Sequence, residues 1–460
     1  MFGILLTLVA AGVVVWFVFK NYYPQTVLLL VGLVTLAIAC LMGISPIDAK
    51  QSTKFLGFDI VEVVSRLMSS RLAELGLNIM IIGGFATYME RIGASKALVK
   101  LCVKPFQVVR SPYLLLALTY VVGQFIALFI NSAVGLGLLL MASVYPLLIA
   151  LGVTRVAAAS VIATTCCLDL GPSSSNAMRA AELAKMDIIT YFVQGQVPVA
   201  ICAMATVVTL HFFVQRWFDK RDISSGRLTL EASSASAEDV SKVLEDAGPA
   251  HYAILPMVPL ALLIIFSPMV FAGVKLSLVT AVLISIILAI VVDLLTRRKV
   301  KQSLDSTKSV FEGMGKVFAS TVSLIICAET FAVGLTKTGG ITTMLTAAAG
   351  LEGAGLPIML AVMMGIMIVA AVITGSGNAA FFAFSPLLPA AAASVGTRIL
   401  PLAVPVQLSA GLARTMSPIA GVVIAVSGIA GVSPFDIVRR TTPVMIGGLV
   451  VTVIASLLLL

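Results

Sequence analysis

The sequence predicts an all-α polytopic membrane protein. Of its 460 residues, 60% are hydrophobic and only 11% are charged, whereas soluble domains carry about a quarter charged residues. Apolar runs long enough to cross a bilayer, roughly 17–25 residues, recur along the chain. These runs are continuous in Leu, Ile, Val and Ala. They therefore favour helices over a transmembrane β-barrel, whose strands of about ten residues alternate apolar and polar positions.

We expect two halves of similar plan, separated by one long hydrophilic stretch. The apolar runs indicate about ten spanning helices plus two re-entrant hairpins. The first repeat covers residues 1–214, a cytoplasmic linker covers 215–250, and the second repeat covers 251–460. Each half has a hairpin followed by a broken helix, near 112–151 and 153–180 in the first half and near 357–395 and 398–426 in the second.

The distribution of basic residues predicts that the two repeats are inverted. Segment 91–110 holds five Lys and Arg residues, whereas its counterpart near 337–356 offers one lysine and one glutamate. The loop at 297–308 is also basic, and its counterpart near 48–59 carries both signs. Loops rich in lysine and arginine face the cytoplasm, so matching loops lie on opposite sides, as in inverted-repeat transporters. The same placement explains the net charge of +9 without a nucleic-acid partner.

Small polar residues interrupt four apolar runs at matching positions of the two halves. They form two candidate hairpin tips and two candidate helix breaks. Interrupted apolar segments in corresponding positions are the best sequence pointer to the binding site of a secondary transporter. The candidate substrate-binding residues are Asn131 and Ser132 in the first tip, Gly171, Pro172, Ser173, Ser174, Ser175 and Asn176 in the first break, Thr374, Gly375, Ser376, Gly377 and Asn378 in the second tip, and Arg414, Thr415, Ser417 and Pro418 in the second break.

These residue types predict a site for small anions. A helix that stops inside the membrane leaves backbone N–H groups without partners, and its positive dipole end attracts anions. Hydroxyl and amide donors bind carboxylate oxygens without a permanent counter-charge, and glycines let the backbone approach a ligand. Two tips that meet at mid-membrane suit a small molecule with a carboxylate at each end. The alternative is that these residues only pack helices, but their matched positions favour a site.

Ionisable residues within the apolar runs are candidates for separate roles, because intramembrane charges are costly and default to function. Arg414 could engage one substrate carboxylate in a forked pair. Asp169, at a near-equivalent position of the first break, could bind a coupled cation or proton; a structural ion pair with Arg414 is the alternative. Glu329 is a possible proton site or a local ion-pair partner. Arg179 and Glu182 are expected to pair as i and i+3 neighbours.

The sequence contains no pattern for a metal centre or an enzyme. His211 and His251 lack metal-ligand spacing, and the six cysteines are expected to be small packing residues. There is no nucleophile elbow and no phosphate-binding loop of the GKT type, so neither a hydrolase nor an ATP-driven pump is supported. We therefore expect no cofactor and no metal, with Na⁺ or H⁺ as a possible coupling ion.

Four short segments together form a recognisable pattern: 111–115 (Ser-Pro-Tyr-Leu-Leu), 374–378 (Thr-Gly-Ser-Gly-Asn), 411–418 with Gly421, and 433–438. The pattern resembles the DcuC family of anaerobic four-carbon-dicarboxylate carriers, within the larger ion-transporter superfamily. The resemblance covers nearly the whole length. It implies a scaffold domain, a mobile transport domain with an elevator-like motion, and a homodimer. It also implies substrates such as fumarate, succinate, malate or aspartate, moved by exchange or with cation coupling.

Other functions stay open at this point. Broken helices would serve a carrier for another small organic anion, such as citrate, gluconate or a short peptide. An ion channel is a further alternative, although matched broken hairpins favour a carrier. An intramembrane enzyme would need His, Asp or Ser residues grouped at membrane depth, and the two histidines instead flank the linker. We expect a multi-pass protein of the bacterial inner membrane whose partners are its substrate and the lipid bilayer.

Overall fold

Helices account for every regular element in the part of the chain that the structure describes. The structure is a computed structural model that describes residues 2–20, 22–48, 51–103, 111–224, 248–267, 270–271, 273–339 and 355–460. The predicted all-α class is confirmed within these ranges. Most of the predicted linker and the segment 340–354 lie outside the described residues.

The helices follow one another along the chain in this order. Those of the first half are α1 (Phe2–Phe19), α2 (Pro24–Leu41), α3 (Leu56–Arg71), α4 (Leu77–Arg91), α5 (Ala94–Val103), α6 (Pro112–Ala127), α7 (Ala133–Ser143), α8 (Tyr145–Ala150), α9 (Arg155–Ala163), α10 (Ser175–Leu183), α11 (Ile188–Thr190) and α12 (Val197–Ser224). Those of the second half are α13 (Val258–Ile265), α14 (Leu278–Arg297), α15 (Val300–Ser306), α16 (Lys308–Val317), α17 (Ser323–Lys337), α18 (Gly355–Thr374), α19 (Gly377–Phe384), α20 (Leu388–Ser394), α21 (Leu400–Arg414), α22 (Gly421–Ala430) and α23 (Pro434–Leu459).

Short π-helical and 3₁₀ segments link some of these helices. The π-helical segments are Leu72–Gly76 between α3 and α4, Tyr191–Gln196 between α11 and α12, and Phe318–Val322 between α16 and α17. The 3₁₀ segments are Ala250–Met257 before α13 and Ser385–Leu387 between α19 and α20. Single-turn π-helical insertions are frequent at functional sites, and two of these three segments supply residues to the site described below.

Six helical stretches of the described residues are long and apolar enough to cross a membrane. They are Pro24–Leu41, Ile188–Asp222, Leu278–Arg297, Val300–Lys337, Gly355–Thr374 and Pro434–Leu459. An apolar helix of about 20 residues spans the hydrocarbon core of a bilayer, so the chain has the character of a multi-pass membrane protein. The broken helices are shorter because polar residues interrupt them. The total of about ten spans stays a prediction.

The core divides into two groups of helices. The larger hydrophobic cluster consists mainly of residues from α6–α10, α12 and α18–α23, which we term the hairpin bundle. The other clusters consist mainly of residues from α1–α5, α13, α14, α16 and α17, which we term the outer bundle. A few residues at the boundary, such as Val99 of α5 and Met178 of α10, pack with the opposite bundle. Each bundle takes helices from both halves of the chain. The two halves are therefore interlocked, and neither packs as a separate domain.

Helices α2 and α17 of the outer bundle cross at two glycines. A Cβ atom on Gly32 would lie 2.7 Å from the backbone nitrogen of Phe331, and one on Gly334 would lie 2.0 Å from the hydroxyl oxygen of Thr35. Small residues let helix backbones approach closely in a membrane, where van der Waals packing drives association. This crossing therefore ties an early helix of the first half to a helix of the second half.

A buried ion-pair group joins α12 to α23 in the hairpin bundle. The Arg440 side chain is almost fully buried, and its guanidinium donates to Asp219 at 2.5 Å and to Asp222 at 2.8 Å. Arg439 donates to Asp222 at 2.7 Å. Buried charges are tolerated when they are paired and hydrogen-bonded, and these contacts meet that condition. The group fixes the end of α12 against the start of α23.

Helix α12 extends further than the sequence indicates. It continues to Ser224, so residues 215–224, which the sequence places in the linker, are helical. The ion pairs at Asp219 and Asp222 explain this continuation, because they hold the polar end of the helix against α23. Residues 225–247 lie outside the described part of the chain.

Candidate substrate site

Both hairpin tips end in a serine that caps the returning helix. In the first tip the Ser132 hydroxyl accepts a hydrogen bond from the Gly135 N–H at 3.0 Å, at the start of α7. In the second tip the Ser376 hydroxyl accepts from the Ala379 N–H at 3.1 Å, at the start of α19. Serine is a preferred cap because it satisfies one of the N–H groups that a helix start leaves free. The helices are therefore interrupted at both predicted tips, and each tip presents a helix N-terminus.

Both predicted helix breaks are also present. Helix α9 ends at Ala163 and α10 begins at Ser175. Within this interval Asp169 has a φ of +46°, a conformation that costs energy in a non-glycine residue and persists where neighbouring contacts hold it. In the second half, α21 ends at Arg414 and α22 begins at Gly421.

An ion pair joins the two breaks. Arg414 Nη2 lies 3.3 Å from Asp169 Oδ1 and donates to the Cys166 carbonyl oxygen at 2.7 Å. Asn176 donates through Nδ2 to Asp169 Oδ2 at 3.2 Å. The side chains of Arg414 and Asp169 are 13% and 11% exposed, so the pair is mostly shielded but retains an accessible edge. The ion pair that the sequence left open as an alternative is therefore formed in this structure.

Two buried glutamines connect the breaks, and sequence reasoning missed them. Gln196 donates to Gln407 Oε1 at 2.6 Å and accepts from the Gly171 N–H at 3.2 Å. Gln407 in turn donates to the Asp169 carbonyl oxygen at 3.2 Å. These bonds satisfy backbone groups that the unwound segment would otherwise leave without partners inside the membrane. The signal in the sequence is the presence of glutamine inside two apolar runs, Gln194 and Gln196 in the first and Gln407 in the second, which is easily taken for ordinary packing.

Two glycines allow the interrupted segments to touch. Gly375 has a φ of +67°, and a Cβ atom there would lie 2.8 Å from the Ile419 carbonyl oxygen. A Cβ atom on Gly411 would lie 2.4 Å from the Cys167 carbonyl oxygen. The second tip therefore packs directly on the start of α22, and α21 crosses the first break at backbone contact.

A cavity of about 610 Å³ lies where the tips and breaks meet the outer bundle. Sites for small molecules have volumes of roughly 300–1,000 Å³. The outer bundle forms the opposite wall, which includes Glu90, Lys316 and Thr321. All four predicted clusters contribute to this one space. The predicted residues that line it are Asn131, Ser132, Asp169, Ser174, Ser175, Gly375, Ser376, Asn378 and Arg414.

The remaining predicted residues do not line this cavity. Ser173 donates to the Leu128 carbonyl oxygen at 2.8 Å and accepts at its own carbonyl from Asn131, which ties the first break to the first tip. Thr415 is buried, and its carbonyl accepts from Thr441 at 2.9 Å. Such contacts shape the wall without facing the cavity. The residues in this second group are Gly171, Pro172, Ser173, Asn176, Thr374, Gly377, Thr415, Ser417 and Pro418.

Glu329 lies away from the cavity, in an ion-pair network with three other residues. Its carboxylate contacts Arg71 Nε at 2.6 Å and also contacts Arg179 Nη2. Glu182 contacts the same two arginines, at 2.5 Å and 2.9 Å. The predicted pair of Arg179 with Glu182 is confirmed as one part of this larger group. Because α10 belongs to the hairpin bundle while α3 and α17 belong to the outer bundle, the network joins the two bundles.

Comparison with known proteins decides the family. The family model described as DcuC, the C4-dicarboxylate anaerobic carrier, matches residues 2–460. The chain belongs to the DcuC family. It is 36% identical over 441 residues to the anaerobic C4-dicarboxylate transporter DcuC of Escherichia coli (strain K12), which covers 96% of this chain and 93% of the relative. This DcuC-family chain is a transporter and not an enzyme.

A second relative and one solved structure extend the comparison. The chain is 35% identical over 461 residues to a Vibrio cholerae serotype O1 protein named "Probable anaerobic C4-dicarboxylate transporter DcuC", over 100% of this chain and 98% of the relative. The solved structure of the Alcanivorax borkumensis YdaH transporter aligns with a TM-score of 0.58 at 14% identity, over 95% of this chain and 98% of that one. At that identity the likeness shows a shared fold alone, in agreement with the all-helical architecture.

Proposed function

We propose that this protein is a secondary active transporter that carries four-carbon dicarboxylates, such as fumarate, succinate, malate and aspartate, across the bacterial inner membrane. The names of the Escherichia coli and Vibrio cholerae relatives support this substrate class. The observation that carries the proposal is one cavity at which two serine-capped helix N-termini meet the Asp169–Arg414 pair. Helix N-termini and guanidinium groups both attract carboxylates.

Substrate recognition in this proposal depends on dipoles and neutral donors as well as on charge. Ser132 and Ser376 stand at the N-termini of α7 and α19, where free N–H groups carry about half a positive charge. Asn131 and Asn378 add amide donors at the same cavity. The planar guanidinium of Arg414 matches the two oxygens of a carboxylate. One substrate carboxylate would therefore bind between the tips and close to Arg414.

Transport requires the cavity to change the side to which it opens. We assign the hairpin bundle to a moving transport domain and the outer bundle to a scaffold, within two inverted repeats and a homodimer. The cavity has one wall from each bundle, which favours an elevator-type motion of one bundle past the other. Glu90 lines it near the end of α4 that adjoins the basic segment 91–110. Such segments face the cytoplasm, so we infer an inward-open state.

Asp169 is the proposed site for a coupled cation or proton. Its carboxylate lines the cavity and accepts hydrogen bonds from both Arg414 and Asn176. A proton or Na⁺ at Asp169 would weaken its hold on Arg414 and free the guanidinium for the substrate, which couples the two binding events. Exchange is the alternative cycle, in which the loaded carrier crosses in both directions. Glu329 contacts two arginines, and we assign it a structural role in place of proton transport.

Reconstituted protein tests this proposal. Vesicles preloaded with fumarate should take up labelled succinate severalfold faster than empty vesicles. An exchanger must bind a substrate inside the vesicle before its site can reopen to the outside, and the fumarate supplies that substrate. Uptake is measured under imposed Na⁺, proton and substrate gradients. Excess unlabelled malate should compete with succinate, whereas citrate and gluconate should not. Transport of citrate or gluconate without succinate would support a carrier for another organic anion, and absence of succinate uptake under every gradient would overturn the proposal.

A further inference from the structure

The cavity has two walls that differ in origin. One wall consists of the tips and breaks of the hairpin bundle, and the other belongs to α4, α16 and the π-helical segment after α16 in the outer bundle. The second wall carries two charged side chains, Glu90 and Lys316, beside the hydroxyls of Ser320 and Thr321. None of these four residues belongs to the segments that mark the site in the sequence.

Lys316 is the cation of the outer wall. Its side chain is exposed and makes no ion pair within the described part of the chain, whereas Lys308 at the start of the same helix pairs with Asp305 at 3.1 Å. Eight residues of α-helix rise about 12 Å, so Lys316 lies about 12 Å further than Lys308 along the candidate membrane span Val300–Lys337. An intramembrane lysine that faces a water-filled cavity is a functional candidate by default. Its charge is therefore available to a ligand.

The charges around the cavity show why such a cation is needed. Arg414 is matched by Asp169 at 3.3 Å, so the hairpin wall has little net charge. Helix N-termini contribute only about half a positive charge each. A four-carbon dicarboxylate brings two negative charges, and Glu90 on the outer wall repels them. Among the described residues that line the cavity, Lys316 is the only cation that has no carboxylate partner.

We propose that Lys316 is a specificity-determining residue that contacts the second carboxylate of the substrate, while the first carboxylate binds at the hairpin tips. This inference rests on the proposed function. A site that meets both ends of the substrate distinguishes a dicarboxylate from a monocarboxylate of the same length, because the second carboxylate gains a partner that a neutral group does not. Since Lys316 belongs to the outer bundle, the substrate loses this contact when the hairpin bundle moves away.

The test compares succinate with succinamate, in which an amide replaces one carboxylate. Both are titrated into the purified wild-type protein in detergent. In the Lys316→Gln variant, the dissociation constant for succinate should rise about tenfold or more, the loss expected for one charged contact, while that for succinamate should change little. Lys316→Arg should keep the preference for succinate because it keeps the charge. Lys308→Gln, on the same helix but away from the cavity lining, should behave as the wild type.

Each outcome bears on a defined claim. Retention of the wild-type preference for succinate by Lys316→Gln would overturn the role of Lys316 and leave the proposed function intact. Failure of the wild type to bind succinate at all would overturn the proposed function and this inference together. Binding of succinamate by the variant serves as the folding control, and Lys316→Met supplies a second neutral replacement if Lys316→Gln does not fold.

Discussion

Arg414 is the residue on which the proposed anion site depends most. Its Nη2 group is shared between the Asp169 carboxylate and the Cys166 carbonyl. Its Nε is buried and has no hydrogen-bond acceptor within the described residues. A buried donor without an acceptor is unfavourable, so we expect this N–H group to favour a bound carboxylate that can accept from it. We therefore expect Arg414 to be a structural contact in this state and a ligand contact when substrate is bound.

Removing Arg414 should separate these two roles. Arg414→Ala leaves Asp169 buried without its counter-charge, and removal of one partner from a buried pair costs about 3–5 kcal/mol. We expect loss of succinate uptake together with a lower unfolding temperature in detergent. The double variant Asp169→Asn with Arg414→Gln removes the pair as a unit, so it should regain stability and still fail to transport. Uptake in vesicles and thermal unfolding measure the two effects.

Arg398→Ala is the matched control, because Arg398 is exposed and, among the residues that the structure describes, donates only to the Leu460 carbonyl. It should change neither measurement. Wild-type uptake by the double variant would remove both Asp169 and Arg414 from the binding site.

At this scale the sequence predicts the cavity residues of the interrupted segments better than the residues that support or face those segments. Asp169 and Arg414 stand out because an ionised side chain inside an apolar run is costly. Gln196 and Gln407 do not, because an uncharged amide in a long apolar run fits ordinary packing. Lys316 belongs to a helix that follows a basic loop, and its position at the cavity depends on how α16 is rotated against α4. That rotation is set by tertiary contacts that no local pattern contains.

The two hairpin tips both line the cavity of the candidate site, and they share one construction. In each, a serine caps the returning helix through a hydrogen bond to the N–H three residues later. The tips differ in how they are supported. In the first tip, the Asn131 side chain donates a hydrogen bond to the Ser173 carbonyl of the first helix break. In the second tip, Gly375 packs against the Ile419 carbonyl, an approach that requires the absence of a Cβ atom.

Gly375→Ala should therefore disrupt the second tip. The substitution places a Cβ atom 2.8 Å from a backbone oxygen, at a φ of +67°, and the left-handed conformation alone costs an L-residue roughly 1–2 kcal/mol. We expect a lower unfolding temperature and severalfold slower succinate uptake, because the N-terminus of α19 must shift. Gly365→Ala is the control on the preceding helix, where an added Cβ meets nothing within 4 Å. Equal behaviour of the two variants would contradict the assigned role of the tip.

Element boundaries follow from the sequence where the polar interruptions are sharp. The predicted hairpin near 112–151 corresponds to α6–α8, which end at Ala150, and the hairpin near 357–395 corresponds to α18–α20, which end at Ser394. The predicted linker, 215–250, begins within α12 because the charged end of this helix is stabilised by Arg440, a partner from the last helix. Hydropathy alone cannot distinguish a paired charge from a solvated one.

The molecule as a whole is held together by contacts between its two bundles, and the most polar of these is the network of Arg71, Arg179, Glu182 and Glu329. The side chains of Arg179 and Glu329 are 3% and 6% exposed. Buried charges of this kind need partners, and here the partners come from opposite bundles. If the bundles slide during transport, this network must separate and its charges must find water or new partners.

Glu329→Gln should therefore lower stability by an amount on the order of 3 kcal/mol, the scale for removing one partner of a buried pair. The double variant Arg179→Met with Glu329→Met should be less destabilised than the sum of its single variants, because it leaves Arg71 with Glu182. We also expect faster succinate exchange by the double variant, since part of the contact between the bundles is gone. Glu62→Gln, which breaks an exposed pair with Arg66, should cost about 0–1 kcal/mol. If the loss of stability in the double variant equals the sum of the losses in its single variants, measured by thermal unfolding, the residues do not act as a network.

The interlocking of the two halves also has a consequence for biosynthesis. Asp169 meets Arg414 across 245 residues of sequence, and Gln196 meets Gln407 across 211. Ribosomes add about 5–20 residues per second, so the first half waits roughly 10–50 s for these partners. An unpaired carboxylate in hydrocarbon is costly, and the nascent chain must keep Asp169 protonated, hydrated or sheltered by the insertion machinery during that interval. The second half of the chain then completes the first half, because it supplies the partners of Asp169 and Gln196.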